Sequence, residues 1–353
     1  MSPFFSIRAA LTQIYPPKPP FTEVDVPAGS QRGRVFIVTG GNAGIGLELC
    51  KILYTAGATV YIASRSKDKV EAAIKAITAG AKSQDPTTSG QLKFLHLDLN
   101  DLHIVKAAAE SFAQQESKLD VLWNNAGTGA NRVTPGQRTA QGFEPMIGFH
   151  CIATLFFTQL LVPQLQAAAA ATPASSFPSS TRPQTARVVW TSSGLAEAGS
   201  PPNGLGLDFT LLDKGSNWKP IQNYGASKAG TWFLSREFAR RYAADGIISV
   251  CLNPGYLKTA SFDGTPALVM FFMNRVMLSE PVFGAYTELF AGLSPDVTLE
   301  KSGSYINPWG RIRPDADSPR QDLIRAGESI EQGGLGYGEN FWAWCENQWA
   351  PFV

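Results

Sequence analysis

The segment from Arg34 to Leu53 constrains the chain more than any other stretch. Arg34-Val-Phe-Ile-Val-Thr39 is a short run rich in β-branched apolar residues. It ends in Gly40-Gly41-Asn42-Ala43-Gly44-Ile45-Gly46, and the apolar positions that follow, Leu47, Leu49, Ile52 and Leu53, fit a helix. The order predicts strand, glycine turn, helix. A tight turn alone could require such glycines. With a strand before and a helix after, however, the turn also lets backbone approach a pyrophosphate, while the helix offers unpaired N–H groups and the positive end of its dipole. A dinucleotide suits this junction, although Gly40, Gly44 and Gly46 are spaced more widely than in G-x-G-x-x-G.

Further strands follow at the intervals a βαβ chain needs. Thr59-Val-Tyr-Ile-Ala63 ends in Ser64-Arg65, about 20 residues past the glycines, where an NAD site would place a carboxylate on the ribose 2′-hydroxyl. Arg65 can instead pair with a 2′-phosphate, with Ser64 adding a hydroxyl and Lys67 or Lys69 adding positive field, so the expected cofactor is NADP(H). The alternative is that Arg65 only starts a solvated helix. A third strand, 92–97, leads to Asp98-Leu99, a carboxylate placed to meet an adenine amino group. The fourth, 119–123, runs into Asn124-Asn125-Ala126-Gly127, where amides and a glycine can brace the sheet or the cofactor. Arg187–Thr191 and 247–252 are the fifth and sixth, and 303–306 is a last short strand. The predicted fold class is α/β: a single Rossmann-type doubly wound parallel sheet flanked by helices. Residues 1–33, with Pro16, Pro17, Pro19 and Pro20, read as an extended Pro-rich arm preceding a single domain over 34–353.

Charge narrows the partners. Lys plus Arg is 30 against 29 for Asp plus Glu, a formal net charge of +1, so nothing favours nucleic acid or an anionic membrane, and a small-molecule substrate is expected. Cys50, Cys151, Cys251 and Cys345 lack metal-ligand spacing and read as reduced core thiols, which fits the cytoplasm. No signal peptide and no transmembrane span are expected; the apolar stretch 267–278 is interrupted by Asn274 and Arg275. The segment 167–186 reads as a surface loop. Five aromatics near the end, Phe341, Trp342, Trp344, Trp349 and Phe352, are costly to leave wet, so the tail should dock on the body or on a second subunit of a homodimer.

The chemistry-bearing pair is Tyr224-Gly-Ala-Ser-Lys228. Four residues apart on a helix, the phenol and the ammonium share a face, and the ammonium is expected to pull the phenol's pKa down toward the working pH. A surface turn in which both side chains meet only water is the plainer alternative. Taken with Thr39-Gly-x-x-x-Gly-x-Gly46 and Asn124-Asn-Ala-Gly127, the pair resembles the short-chain dehydrogenase/reductase family over about residues 34–310, closest to the branch of retinol dehydrogenases and many fungal carbonyl reductases.

The resemblance implies roles at matching positions. Tyr224 would be the proton donor or acceptor, Lys228 its partner and a ligand of the nicotinamide ribose, and Ser193 a donor to the substrate oxygen; Ser192 or Ser193 could otherwise be a turn hydroxyl. The family's asparagine, which holds a water behind the lysine, is replaced by His150, whose imidazole could hold that water, carry the proton near neutral pH, or simply pack in the core. Cofactor contacts are expected from Thr39, Gly40, Asn42, Gly44, Ile45 and Gly46 in the turn, from Ser64, Arg65, Asp98 and Leu99 on the adenosine side, and from Asn125, Ala126 and Gly127. Pro254, Gly255, Leu257 and Thr259 form a segment expected at the nicotinamide. The loop between Ser193 and Tyr224, with Pro201 to Gly204 and Trp218, and the Met- and Phe-rich stretch 262–278 are expected near a bulky or apolar substrate such as a secondary metabolite. The expected reaction is NADP(H)-dependent interconversion of a ketone and a secondary alcohol, run as a reductase by a monomer or homodimer. The alternatives are a non-redox dehydratase, epimerase or cyclase using His150, and a non-catalytic NADP-binding scaffold.

Overall fold

The computed structural model describes residues 12–81, 89–134, 136–171, 186–202, 220–259 and 267–352. Eight strands, β1 (Val35–Thr39), β2 (Thr59–Ser64), β3 (Gln91–His96), β4 (Val121–Asn124), β5 (Arg187–Thr191), β6 (Ile248–Leu252), β7 (Tyr305–Asn307) and β8 (Arg311–Arg313), form one sheet in the order β3-β2-β1-β4-β5-β6-β7-β8. All pairs are parallel except β7 with β8. Every residue of β1, β4, β5 and β6 is buried, as strands covered on both faces require. β3, at one edge, exposes Gln91 and His96 instead.

Alternate side chains of each strand feed two cores. Phe36 and Val38 point to one, with α1 (Gly44–Thr55), α2 (Lys67–Gly80) and the helix Pro281–Leu293; Val35 and Ile37 point to the other. That second core is closed by α3 (Leu102–Ala113), by α4, which spans Pro145–Leu160, by α5 (Val162–Ala170), and by the long helix Pro220–Arg241. Among the described residues the α-helices that follow are α6 (Leu195–Ala198), α7 (Pro220–Arg241), α8 (Ala267–Val276), α9 (Pro281–Leu293), α10 (Gln321–Gly327) and α11 (Tyr337–Trp349). Strand order reverses between β1 and β4, so a crevice opens at their carboxyl ends, where loops of open α/β sheets bind ligands.

The structure departs from the sequence expectations in the N-terminal arm and at one sheet edge. β8 was not expected: its sequence, Arg-Ile-Arg, has too little apolar content to register as a strand, and only antiparallel pairing with β7 reveals it. The described part of the N-terminal arm does not merely precede the fold. Gln13 is 3% exposed, its amide donating to Glu197 at 3.0 Å and its oxygen accepting from Asn253 at 2.6 Å, and Val26 lies in the core. Glu197, fully buried, also takes Arg313 of β8 at 2.7 Å and Ser318 at 3.1 Å, so one carboxylate ties together the arm, α6, β8 and the chain before α10.

The aromatic tail docks on the body, where α11 buries Phe341, Trp342 and Trp349 against α4 and α7. Residues 172–185 of the expected surface loop, 203–219 of the Ser193-to-Tyr224 loop and 260–266 lie outside the described residues. The four cysteines are buried and unpaired. Among the described residues no single helix is long and apolar enough to cross a membrane.

Candidate functional site

The glycine junction between β1 and α1 lies on the crevice, and its glycines answer to specific neighbours. Gly40 and Gly44 have φ of +69° and +54°, which L side chains rarely adopt, and a side chain on Gly46 would lie 2.6 Å from the Asn125 amide nitrogen and 2.8 Å from the Gly40 carbonyl. Asn125 donates to the Thr39 carbonyl at 2.8 Å, and the Thr39 hydroxyl donates to the Trp123 carbonyl and accepts from the Ala126 N–H. Thr39 and Asn125 therefore weld the ends of β1 and β4 together. The glycines let α1 start close above that weld with its N–H groups facing the crevice.

A cleft of about 450 Å³ runs from this junction to Tyr224 and Lys228. Of the expected cofactor residues, Gly40, Gly44, Ile45, Ser64, Arg65, Asp98, Leu99, Asn125, Ala126, Gly127, Pro254 and Thr259 line it. Thr39, Asn42, Gly46, Gly255 and Leu257 do not; Leu257 is buried against Gly284 of α9, and Gly255 lies near Pro308. Arg65 is exposed and makes no ion pair among the described residues, whereas Asp98 already accepts from the Asn100 N–H and side chain through one oxygen. The cradle fits a dinucleotide: positive φ at two turn glycines, a helix N-terminus over the crevice, and an arginine at the tip of β2. Sequence reasoning missed Thr128, Arg132, Val133, Gln137, Pro145 and Phe149, which also line the cleft. They fall in the turns after β4 and at the start of α4, where no periodic pattern marks them. None of the described side chains of the Met- and Phe-rich helix α8 lines this cleft, and its Phe271 is exposed.

The chemistry-bearing side chains meet at the other end. Ser192 and Ser193 follow β5, and α7 brings Tyr224 and Lys228 up beside them. Ser192 is buried and donates to the Lys228 carbonyl at 2.8 Å, a bond that seats α7 on the strand end. Ser193 hydrogen-bonds the Tyr224 side chain, and its oxygen also accepts from the Leu195 N–H at 3.2 Å, so the turn role and the site role coexist. Lys228, 3% exposed, donates to the Thr191 carbonyl at 2.9 Å, and its Nζ sits 5.7 Å from the centre of the Tyr224 ring.

Two electrostatic expectations are corrected here. The Tyr224 phenol is pushed up from its ordinary value, not down: burial dominates, and the hydrogen bond to Ser193 offsets it only in part. The lysine lies over the ring face and is itself lowered by burial, to about 8. His150 does not carry a proton near neutral pH, because burial, followed by the Lys228 charge, holds its imidazole well below the usual range.

The bonds around His150 state its tautomer. Nε2 accepts from the Thr128 N–H at 3.0 Å, so Nδ1 bears the hydrogen and donates to Ser227 Oγ at 2.9 Å; Ser227 in turn donates to the Tyr224 carbonyl at 2.8 Å. The ring also stands edge-on to Tyr224, with centroids 5.8 Å apart. His150 thus couples the turn after β4 to the first turns of α7. It sits in a π-helical stretch of α4, Gly148–Ala153, between an α-turn at Pro145–Ile147 and the regular helix Thr154–Leu160. Such a bulge re-aims side chains in the middle of a helix.

The family model for short chain dehydrogenases matches residues 34–201. The short-chain dehydrogenase/reductase iacJ of Pestalotiopsis fici is 46% identical over 348 residues, 99% of each chain. The short-chain dehydrogenase/reductase bet4 of Neocamarosporium betae is 41% identical over 349 residues, 98% of this chain and 94% of that one. Among solved structures, the NADPH-bound carbonyl reductase from chicken fatty liver superposes with a TM-score of 0.56 at 22% identity, covering 80% of this chain and 99% of that one, a likeness of fold.

Proposed function

The chain belongs to the short-chain dehydrogenase/reductase family, and from that premise we propose that it is an NADP(H)-dependent reductase converting a ketone on a bulky, largely apolar small molecule into a secondary alcohol. The observation that carries the reading is the meeting of Tyr224, hydrogen-bonded to Ser193, with Lys228 at one end of a cleft that Ser64 and Arg65 also line. The nicotinamide, when bound, supplies the hydride. The turn of Gly40 to Gly46 and the N-terminus of α1 would hold the pyrophosphate, and Arg65 the 2′-phosphate.

The proton chemistry belongs to the chain's own residues. Tyr224, protonated at neutral pH because of its burial, donates its proton to the carbonyl oxygen as that oxygen gains charge. Ser193 hydrogen-bonds the same oxygen and keeps the phenol oriented toward it. Lys228 balances the phenolate that Tyr224 becomes, and it can do so only while it carries a proton, which sets an alkaline limit near 8. A phenol held protonated favours the reductive direction. The four unpaired buried thiols support a cytosolic setting.

The test is NADPH oxidation with a panel of bulky ketones. Tyr224→Phe is expected to lower kcat at least a hundredfold while NADPH still binds, and retention of turnover in this variant would sink the reading. Arg65→Asp is expected to weaken NADPH binding much more than NADH binding, whereas equal losses would remove the reason for choosing NADP(H). A non-redox reaction run by His150 has less support, because both ring nitrogens are engaged and the ring stays neutral.

A further inference from the structure

Lys228 is a buried ammonium with no carboxylate in ion-pair contact among the described residues, and its Nζ donates to the backbone of Thr191. The hydroxyl of that same Thr191 donates to Glu288 at 2.6 Å. Glu288 projects from α9, is fully buried, and leaves its second oxygen without a hydrogen-bond partner. Trp123 of β4 fixes α9 at this residue by donating to the Glu288 carbonyl at 2.9 Å. One residue at the end of β5 therefore connects the proposed catalytic lysine, through its carbonyl, to a buried carboxyl group, through its hydroxyl.

A carboxyl at this place is costly as structure alone. Thr191 needs only one acceptor, which a neutral side chain could provide, and an unpartnered oxygen in the core is unfavourable. A carboxylate does offer a negative charge close behind a lysine that burial would otherwise neutralise. The other ionisable groups here do not supply it. Cys151 of α4 and Cys251 of β6 flank Lys228, but burial pushes the first thiol up to about 12 and the second higher still, so both are uncharged near neutrality. The groups that reach Glu288 are Lys228 from α7 and Cys251 from β6. Arg187 of β5 is turned to the far end of α9, where it donates to the carbonyls of Ala291 and Ser294. Tyr286, on α9 itself, pairs with Glu23 and faces Glu48 of α1.

We infer that Glu288 is a positioning residue of the proposed reduction: a buried countercharge, held by the Thr191 hydroxyl, that keeps Lys228 protonated in the working range. The inference rests on the reading of Lys228 as the partner of Tyr224. Burial brings the two groups toward each other, Glu288 up to about 7 and Lys228 down to about 8, so both are charged between those values.

The test reads the lysine directly. Protein labelled with ε-13C lysine, without cofactor or substrate, is titrated by NMR, and Lys228→Arg identifies the resonance by its loss. The wild-type midpoint is expected at about 8. In Glu288→Gln, which retains an acceptor for Thr191, it is expected to fall by about one unit, a tenfold loss of proton affinity. The alkaline limb of the NADPH-dependent rate should move down with it. Thr191→Val, which releases the carboxyl from its donor, should shift the midpoint in the same direction by less, and it decides the matter if Glu288→Gln fails to fold. An unchanged midpoint in the folded variants overturns the inference, even if turnover falls. A shifted midpoint in a protein that reduces no ketone leaves the countercharge standing and sinks the proposed reaction, and with it the positioning role.

Discussion

At the scale of residues, burial sets every protonation state near the reacting end of the cleft. It raises Tyr224 and Glu288 and lowers Lys228 against the neighbours that oppose it, and it lowers His150 with the Lys228 charge acting in the same direction. These shifts are also statements about stability. A carboxyl whose folded value is raised binds its proton more tightly in the native state. The stability this gives is present in full below the unfolded value, near 4.5, and is lost as pH rises through about 7. His150, lowered on folding, acts oppositely: its contribution is present above its unfolded value near 6.5 and is lost as pH falls. Comparison of wild type with Glu288→Gln reads the carboxyl together with its effect on Lys228. Relative to that variant, wild type is expected to lose about 3 kcal/mol between pH 4.5 and pH 8, taking about 1.4 kcal/mol per pKa unit. Urea midpoints at pH 5 and pH 8 measure this, and parallel curves for the two proteins would show that Glu288 does not ionise in the core.

At the scale of elements, the joint between β1, β4 and α1 is the part that tolerates least change. A methyl on Gly46 meets the Gly40 carbonyl and the Gly41 Cα as well as Asn125, and backbone atoms cannot swing aside as a flexible side chain can. Gly46→Ala is expected to cost about 1–3 kcal/mol and to weaken NADPH binding at least tenfold, because α1 must move off the weld made by Thr39 and Asn125. Isothermal titration with NADPH, alongside a denaturation curve, separates the two effects. The π-helical stretch of α4 is a second element-level device. It turns His150 toward the chain after β4 and toward α7 together, whereas α3, which lacks such a bulge, presents one regular apolar stripe.

At the scale of the whole molecule, the described parts of the N-terminal arm and the C-terminal tail are tied to the body. The arm reaches Glu197 and Asn253 through Gln13, and α11 covers α4 and α7 with aromatic side chains. Trp342 is fully buried, donates to Glu346 at 2.8 Å, and lies under Arg241 at 4.6 Å from its ring centre. Trp342→Ala should cost about 3–5 kcal/mol, read as a lower denaturant midpoint. A negligible change would mean that the tail docks without contributing to the fold.

The sequence by itself determined the order of the first seven strands, the sheet class, the glycine junction and the cleft residues adjoining strand ends, because these follow from local periodicity and from turn residues close to their neighbours in the chain. It also marked Ser193, Tyr224 and Lys228. Tertiary structure alone decided what those residues experience. That Tyr224 holds its proton, that His150 stays neutral with its hydrogen on Nδ1, that Gln13 reaches Glu197, and that Glu288 stands behind Lys228 all depend on groups distant in the chain. Glu288 shows the reason: within 281–293 it is one acidic residue in an apolar helix, and only when α9 packs against the end of β5 does its carboxyl lie behind the lysine. Desolvation and charge act through space, so their sum at a site is fixed by packing and cannot be read from spacing along a chain.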